Sequence, residues 1–303
     1  MLVKRDLHWF RMLFVLQGSV LPRILPQLGI TALIAVWAVV AARLPWPWHL
    51  GFTPAPFGFL GVSLAIFLGF RNSASYDRWW EARKIWGALV IQTRSLGRQV
   101  VGMVDDPARA RRMVRLIVAF THALRHQLRG TEPREDLAPW VEAELLEDTL
   151  ATRFRPAALL VALEKELQAA RRQGEIEAVL VPALETSLGA HSEILAACER
   201  IHNTPIPFTY AVIVHRTVFL FCFLLPFGLA GTVGLLTPLI TVAVAYPFMA
   251  LEALAQELEE PFGEAPNALA LLSMSETVEH SLRETLGERG LQPLVKNNKH
   301  FIY

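Results

Sequence analysis

Charged side chains are scarce in this chain, and cysteines scarcer. Only 19% of its 303 residues are charged, 53% are hydrophobic, and the mean hydropathy is +0.35. Ordinary soluble domains carry about 25% charged and about 45–50% apolar residues. The shift is too large for a comfortable soluble protein and too small for one living wholly in lipid, so part membrane bundle and part soluble helix fits best. A net charge of +1 gives no global attraction to nucleic acid, and none is expected as a partner. The two cysteines, Cys198 and Cys222, stand far apart without metal-like spacing, which excludes a disulfide framework and a cysteine zinc site. Walker, Gly-x-Ser-x-Gly and His-Glu-x-x-His signatures are missing, so the commonest catalytic machineries are excluded and no cofactor is expected. Strand patterns and internal repeats are absent too, leaving an all-α reading.

What is present is three long apolar runs. The first extends from Ile24 to Ala42 with Gln27 its most polar member, and the second from Phe52 to Phe70 without a charge. A helix rising about 1.5 Å per residue crosses a hydrocarbon core of about 30 Å in about 20 residues, so each is one crossing. The third, uncharged from Thr217 to Leu251, is long enough for two short crossings and predicts a hairpin turned near Gly231-Thr232-Val233-Gly234. Pro226 and Pro247 fall inside its arms, which membrane helices tolerate when neighbours satisfy the freed carbonyls. The first run reads as a membrane helix rather than a cleaved signal, because its charged leader is long and a second run follows at once.

Basic residues set the orientation. Lys4, Arg5, Arg11 and Arg23 precede the first crossing, and Arg43 alone occupies the following loop. Arg71, Arg78, Arg83, Lys84, Arg94 and Arg98 follow the second crossing, and Arg216 precedes the hairpin. Both termini and the middle of the chain are therefore expected in the cytosol. The boundaries read as a cytosolic segment 1–23, two transmembrane helices in 24–70, a cytosolic helical region 71–216, a transmembrane hairpin 217–252 and a cytosolic segment 253–303.

Within the middle region Asp106-Pro107 is a helix start, with aspartate as cap and proline in the first turn. Met113, Leu116, Ile117 and Phe120 recur behind it at helical spacing, and Gly130-Thr131-Glu132-Pro133 ends the helix. The same spacing predicts helices over about 155–172 and 181–201, and Pro205-Ile206-Pro207 breaks the chain before the hairpin.

Candidate chemistry is thin. His122 and His126, four apart on a helix, form a possible metal pair without a third ligand in reach, or a partly buried polar pair. Glu257, Glu259, Glu260 and Glu264 are either oxygen ligands for a hard cation or the polar end of a helix leaving the membrane. Arg78 with Glu81, and Glu81 with Lys84, are spaced to pair on a helix surface, and Trp79 and Trp80 suit the membrane interface.

The second crossing is richer. Gly61, Ala65 and Gly69 form a stripe of small residues of the kind that lets membrane helices approach closely. One position along, Val62, Ile66 and Phe70 form a bulky stripe. A ring of copies of this helix turning those three residues to a common axis makes a hydrophobic neck, and such constrictions gate by dewetting. Ordinary packing stripes in membrane helices look the same.

The stretch Phe67-Leu68-Gly69-Phe70-Arg71-Asn72-Ser73-Ala74-Ser75-Tyr76-Asp77-Arg78-Trp79-Trp80-Glu81-Ala82-Arg83, with Trp86-Gly87 after it, resembles the bestrophin family, above all its bacterial members. The segments His8-Trp9-Phe10-Arg11, Cys198-Glu199-Arg200-Ile201, Thr204-Pro205-Ile206-Pro207-Phe208 and Glu257-Leu258-Glu259-Glu260-Pro261-Phe262-Gly263 are similar too, in the same order along the chain. The resemblance implies an all-α polytopic membrane protein with four transmembrane helices per subunit and a large cytosolic helical bundle. It implies a homopentamer around one pore, sitting in lipid in a cell membrane (the inner membrane of a bacterium) and passing monovalent ions passively. Val62, Ile66 and Phe70 match the family's neck, and Val179 or Leu180 its deeper cytosolic constriction. Animal members follow Pro-Phe-Gly with an acidic run that helps bind calcium, whereas here Ala265-Pro266-Asn267-Ala268 follows Glu264, which puts calcium activation in doubt. Animal members conduct anions and bacterial relatives include cation channels, so the resemblance leaves the ion sign open. A membrane-anchored interaction protein using its cytosolic helices as a docking surface is the rival reading, and a membrane enzyme using His122, His126 or the glutamates a third.

Overall fold

The computed structural model describes residues 10, 15–16, 18–44 and 53–291. The basic leader positions Lys4, Arg5 and Arg11, the motif residues His8 and Trp9, Phe52 and the C-terminal residues after 291 lie outside the described residues. Ten α-helices are described: α1 Leu21–Arg43, α2 Pro54–Met103, α3 Pro107–Arg129, α4 Arg134–Leu137, α5 Ala143–Ala151, α6 Arg155–Gln173, α7 Val181–Asn203, α8 Phe208–Val233, α9 Thr237–Glu259 and α10 Leu271–Thr285. Short 3-10 turns at Ala178–Leu180 and Gly234–Leu236 precede α7 and α9. Helices are the only regular elements among the described residues, as the missing strand pattern predicts.

Three stretches are long and apolar enough to cross a membrane: Leu21–Arg43, Pro54–Met103 and Phe208–Glu259. The third holds two helices, α8 and α9, which pack on each other across the 3-10 turn. Gly234 makes that turn possible by taking φ +62°, a conformation that side chains with a Cβ rarely adopt. A helical hairpin is therefore present, turning at Gly234–Leu236, just after the expected Gly231-Thr232-Val233-Gly234. Its arms extend past the uncharged run, because helical hydrogen bonding continues where apolarity stops.

The helix that holds the second apolar run likewise does not end at Phe70. α2 continues unbroken for 50 residues, more than twice what a hydrocarbon core of about 30 Å needs. No proline interrupts it between Pro56 and Pro107, and the change from apolar to polar composition near Arg71 costs the backbone nothing.

The chain forms two compact units. Among the described residues, one contains those up to Trp79 together with Pro205–Glu260, the other Trp80–Thr204 and those from Pro261 onward. In the first, α1 packs on α8 and α9. Its core joins Ile24 and Leu28 of α1, Phe57, Leu64 and Leu68 of α2, Val218, Phe221 and Leu225 of α8, and Ala245 and Met249 of α9. Lipid is as apolar as these side chains, so close van der Waals contact holds such helices together. Two glycines permit it. A Cβ on Gly228 would come within 2.5 Å of the Phe57 ring, and one on Gly61 within 3.3 Å of Phe221.

The second unit is built around α3, which packs on α6, α7 and α10. Asp106 caps α3 as predicted, its carboxylate accepting from the amides of Ala108 and Arg109, each at 3.1 Å. Such a cap stabilises a helix by about 1 kcal/mol. Gly130 closes the other end at φ +64°, its amide donating to the His126 carbonyl. The helices expected over 155–172 and 181–201 are α6 and α7. α10 went unread in the sequence, although its buried Leu271, Ser275, Val278 and Leu282 recur at helical spacing.

Candidate functional site

In the first unit α2 has two contrasting faces. Leu64, Leu68, Arg71 and Ser75, spaced four, three and four apart, are all buried. Val62, Ile66 and Phe70 lie on the opposite side and keep 64%, 54% and 66% of their surface exposed. The small stripe divides: Gly61 abuts Phe221, while a Cβ on Gly69 would meet nothing within 4 Å, and Ala65 is exposed. Within one chain the close approach expected of that stripe therefore occurs at Gly61 alone.

Arg71, next to Phe70, is 1% exposed, and the sequence marked it only as a basic flank and a member of the family motif. Its Nε donates to Glu259 Oε1 at 2.8 Å and its Nη1 to Glu252 Oε1 at 3.3 Å. Glu252 also meets His215 Nδ1 at 2.9 Å and accepts from Gln256. Ser75 Oγ lies 3.3 Å from the same Glu259 oxygen, and Arg78 Nε donates to the Glu259 carbonyl at 2.7 Å. Arg23 donates to Gln256 Oε1 at 2.6 Å and stands 3.8 Å from Glu257. Of the four carboxylates that looked like a cation site, Glu259 is matched to Arg71 and Glu257 to Arg23, while Glu260 and Glu264 are exposed. No cluster of three His, Cys, Asp or Glu side chains able to hold a metal occurs among the described residues. The polar-helix-end reading of Glu257 and Glu259 is the one the geometry supports.

The expected ladder of Arg78, Glu81 and Lys84 gives way to longer-range partners. Arg78 reaches the end of α9, and Glu81 pairs with Arg200 of α7 at 2.5 Å. A surface pair three apart on a helix is worth only about 0.2–0.5 kcal/mol, so tertiary partners displace it easily. Trp79 stacks on Tyr76 with ring centroids 6.2 Å apart.

The histidine pair is also divided between separate partners. His122 Nε2 lies 3.0 Å from Glu279 Oε2, while His126 Nε2 lies 2.7 Å from Asp136 Oδ2. Arg125, between them, pairs with Asp136 and donates to Ser275 at 3.2 Å. Burial pushes the His126 imidazole below its ordinary value, and the Arg125 charge adds to this. Burial raises Glu279 and Asp136, but the bonds to His122 and His126 and the neighbouring arginines bring both below the usual carboxylate range. The arrangement is a buried polar pair rather than a shared metal site. Cys198 and Cys222 are free and buried, and burial pushes the Cys198 thiol up to about 12.

Val179 and Leu180 occupy the 3-10 turn that opens α7. Val179 is 77% exposed and Leu180 half-buried.

A family model described as bacterial and fungal bestrophin protein matches residues 1–284. The chain belongs to the bestrophin family. This bestrophin is 46% identical over 295 residues to a voltage-dependent anion channel-forming protein of Ralstonia nicotianae, covering 96% of each chain. It is 42% identical over 303 residues to the voltage-dependent anion channel-forming protein YneE of Escherichia coli K12, covering 99% of each. Its structure is similar to the crystal structure of a bacterial bestrophin homologue from Klebsiella pneumoniae. That likeness has a TM-score of 0.85 and 37% identity, and it covers 88% of this chain and 100% of the other. The family and the apolar helices make this bestrophin a membrane protein, and relatives named for forming channels place it outside the enzymes. Where animal members have their acidic run, this bestrophin folds the segment on itself: Phe262 is buried and the Leu269 amide donates to the Pro261 carbonyl at 2.8 Å.

Proposed function

We propose that this bestrophin is a passive ion channel: a homopentamer in a cell membrane, with α2 of each subunit lining one central pore. The observation that carries the reading is the exposed face of α2, where Val62, Ile66 and Phe70 project away from the subunit's own core. In this reading those three residues form a hydrophobic neck that hydrated ions cross only with a dewetting penalty. Val179, with Leu180 behind it, supplies a second apolar constriction in the cytosolic part. Each subunit crosses the membrane four times, through α1, the first part of α2, α8 and α9. Residues 1–23, 71–216 and 253–303 are cytosolic, which puts both termini inside.

The channel-forming names of the Ralstonia and Escherichia relatives support ion flux, and those names point to anions. The neck residues carry no charge that would favour either sign. Purified protein in a planar bilayer tests the reading. Wild type is expected to conduct, and Phe70→Ala to conduct more. No current from either would sink it and favour the docking-protein alternative, which predicts a tight partner in pull-downs instead.

A further inference from the structure

The exposed face of α2 carries one charged side chain between Phe70 and Trp80. Asp77 follows Phe70 by seven residues, about 20° short of two full turns, so it shares the face of Ile66 and Phe70. The buried stripe of Leu64, Leu68, Arg71 and Ser75 lies on the other side. Asp77 is exposed, and among the described residues it makes no hydrogen bond or ion pair. The nearest charges on the helix are engaged: Arg71 with Glu252 and Glu259, Arg78 with the Glu259 carbonyl, Glu81 with Arg200.

We infer that Asp77 sets the sign of the permeant ion, by forming a carboxylate ring at the mouth of the neck that concentrates monovalent cations and depletes anions. The inference rests on the pore reading above: an assembly that turns Val62, Ile66 and Phe70 to one axis turns Asp77 to the same axis, once per subunit. Acidic rings favour cations in channels generally. Distance decides which charge counts. Asp77 stands about 10 Å along the helix from Phe70, close to the screening length of about 8 Å at physiological salt. Glu81, about 16 Å away and also near this face, is matched by Arg200, and Lys84 stands about 21 Å away, beyond two screening lengths. Arg71 is nearer, but it faces the core and is matched by two carboxylates. The inference departs from the anion channel-forming names of the relatives.

The test is the reversal potential of the purified full-length protein in a planar bilayer under a KCl gradient. Wild type is expected to reverse toward the potassium equilibrium potential, with a cation preference that grows as salt is lowered. Asp77→Asn lowers the cation-to-anion permeability ratio about three- to tenfold at ~0.15 M salt. Asp77→Glu keeps the ratio, Asp77→Lys inverts it, and Lys84→Gln changes it less than Asp77→Asn does. A wild type that reverses toward chloride, or whose preference ignores salt, overturns the inference while the channel stands. So do Asp77→Asn channels of wild-type ratio, or a larger shift from Lys84→Gln. No current from wild type or from Phe70→Ala removes the pore reading and this inference with it.

Discussion

Arg71 and Glu259 are joined by a 2.8 Å bond from Nε to Oε1, which ties the residue after Phe70 to the end of α9. Arg71 is 1% exposed, and Glu252 beside it is 3% exposed. Removing one partner of a buried pair strands the other, which typically costs about 3–5 kcal/mol. Arg71→Met leaves two carboxylates facing each other and is expected to lower the melting temperature of the detergent-solubilised protein markedly. Glu259→Gln, which keeps one acceptor, costs less. A melting temperature that Arg71→Met leaves unchanged would refute the network's structural role.

The two faces of α2 differ in what truncation does. Leu68→Ala removes a side chain that is 1% exposed and is expected to cost about 2–5 kcal/mol of stability. Ile66→Ala, on the face kept open, is expected to leave the subunit's stability nearly unchanged and to raise conductance. Paired melting curves and bilayer recordings check both halves. Equal destabilisation by the two substitutions would contradict the assignment of faces.

Among the described glycines of the first unit, Gly228 stands nearest to a neighbouring side chain. Gly228→Ala puts a methyl where the Phe57 ring stands, within 2.5 Å of two ring carbons. Overpacking of this kind typically costs about 1–3 kcal/mol. Gly69→Ala, which meets nothing in the same chain, serves as the control. Adding Phe57→Leu to Gly228→Ala is expected to recover part of the loss in thermal unfolding.

Acid weakens the second unit through groups of two kinds. His126 is held below the ordinary imidazole value by burial, so as pH falls past about 6.5 the unfolded chain takes up this proton first and stability drops. Glu279 and Asp136 are held below the ordinary carboxylate value. Their contribution is present above that value and is lost as pH falls through their lower folded values. The slope attributable to His126 is at most about 1.4 kcal/mol per pH unit. Melting temperatures from pH 7.5 to 5 are expected to fall, and His126→Gln to flatten that decline. A wild-type curve level over this range would contradict the assignment.

Local rules made much of this protein legible before any coordinates. Asp106-Pro107 starts α3, Gly130 ends it and Pro205-Ile206-Pro207 separates α7 from α8, because caps and breakers act through neighbouring backbone groups. The apolar runs announced the membrane helices for the same reason, since hydrocarbon thickness sets a length that can be counted. The partners of charged groups were not legible. Arg71 and Glu259 are 188 positions apart, and His122 and Glu279 are 157 apart. Neither spacing carries a local signal.

The sequence by itself determined that α2 is a helix with apolar stripes, and that Val62, Ile66 and Phe70 share one of them. Only the tertiary structure decided which stripe the subunit buries. Leu64 and Leu68 are as apolar as Ile66 and Phe70, so composition cannot rank the two faces. The choice falls to contacts made across the fold: the Phe221 ring against Gly61, the apolar core around Leu64 and Leu68, and the carboxylates of α9 around Arg71. Those contacts hold one face of α2 inward and leave Val62, Ile66, Phe70 and Asp77 facing out.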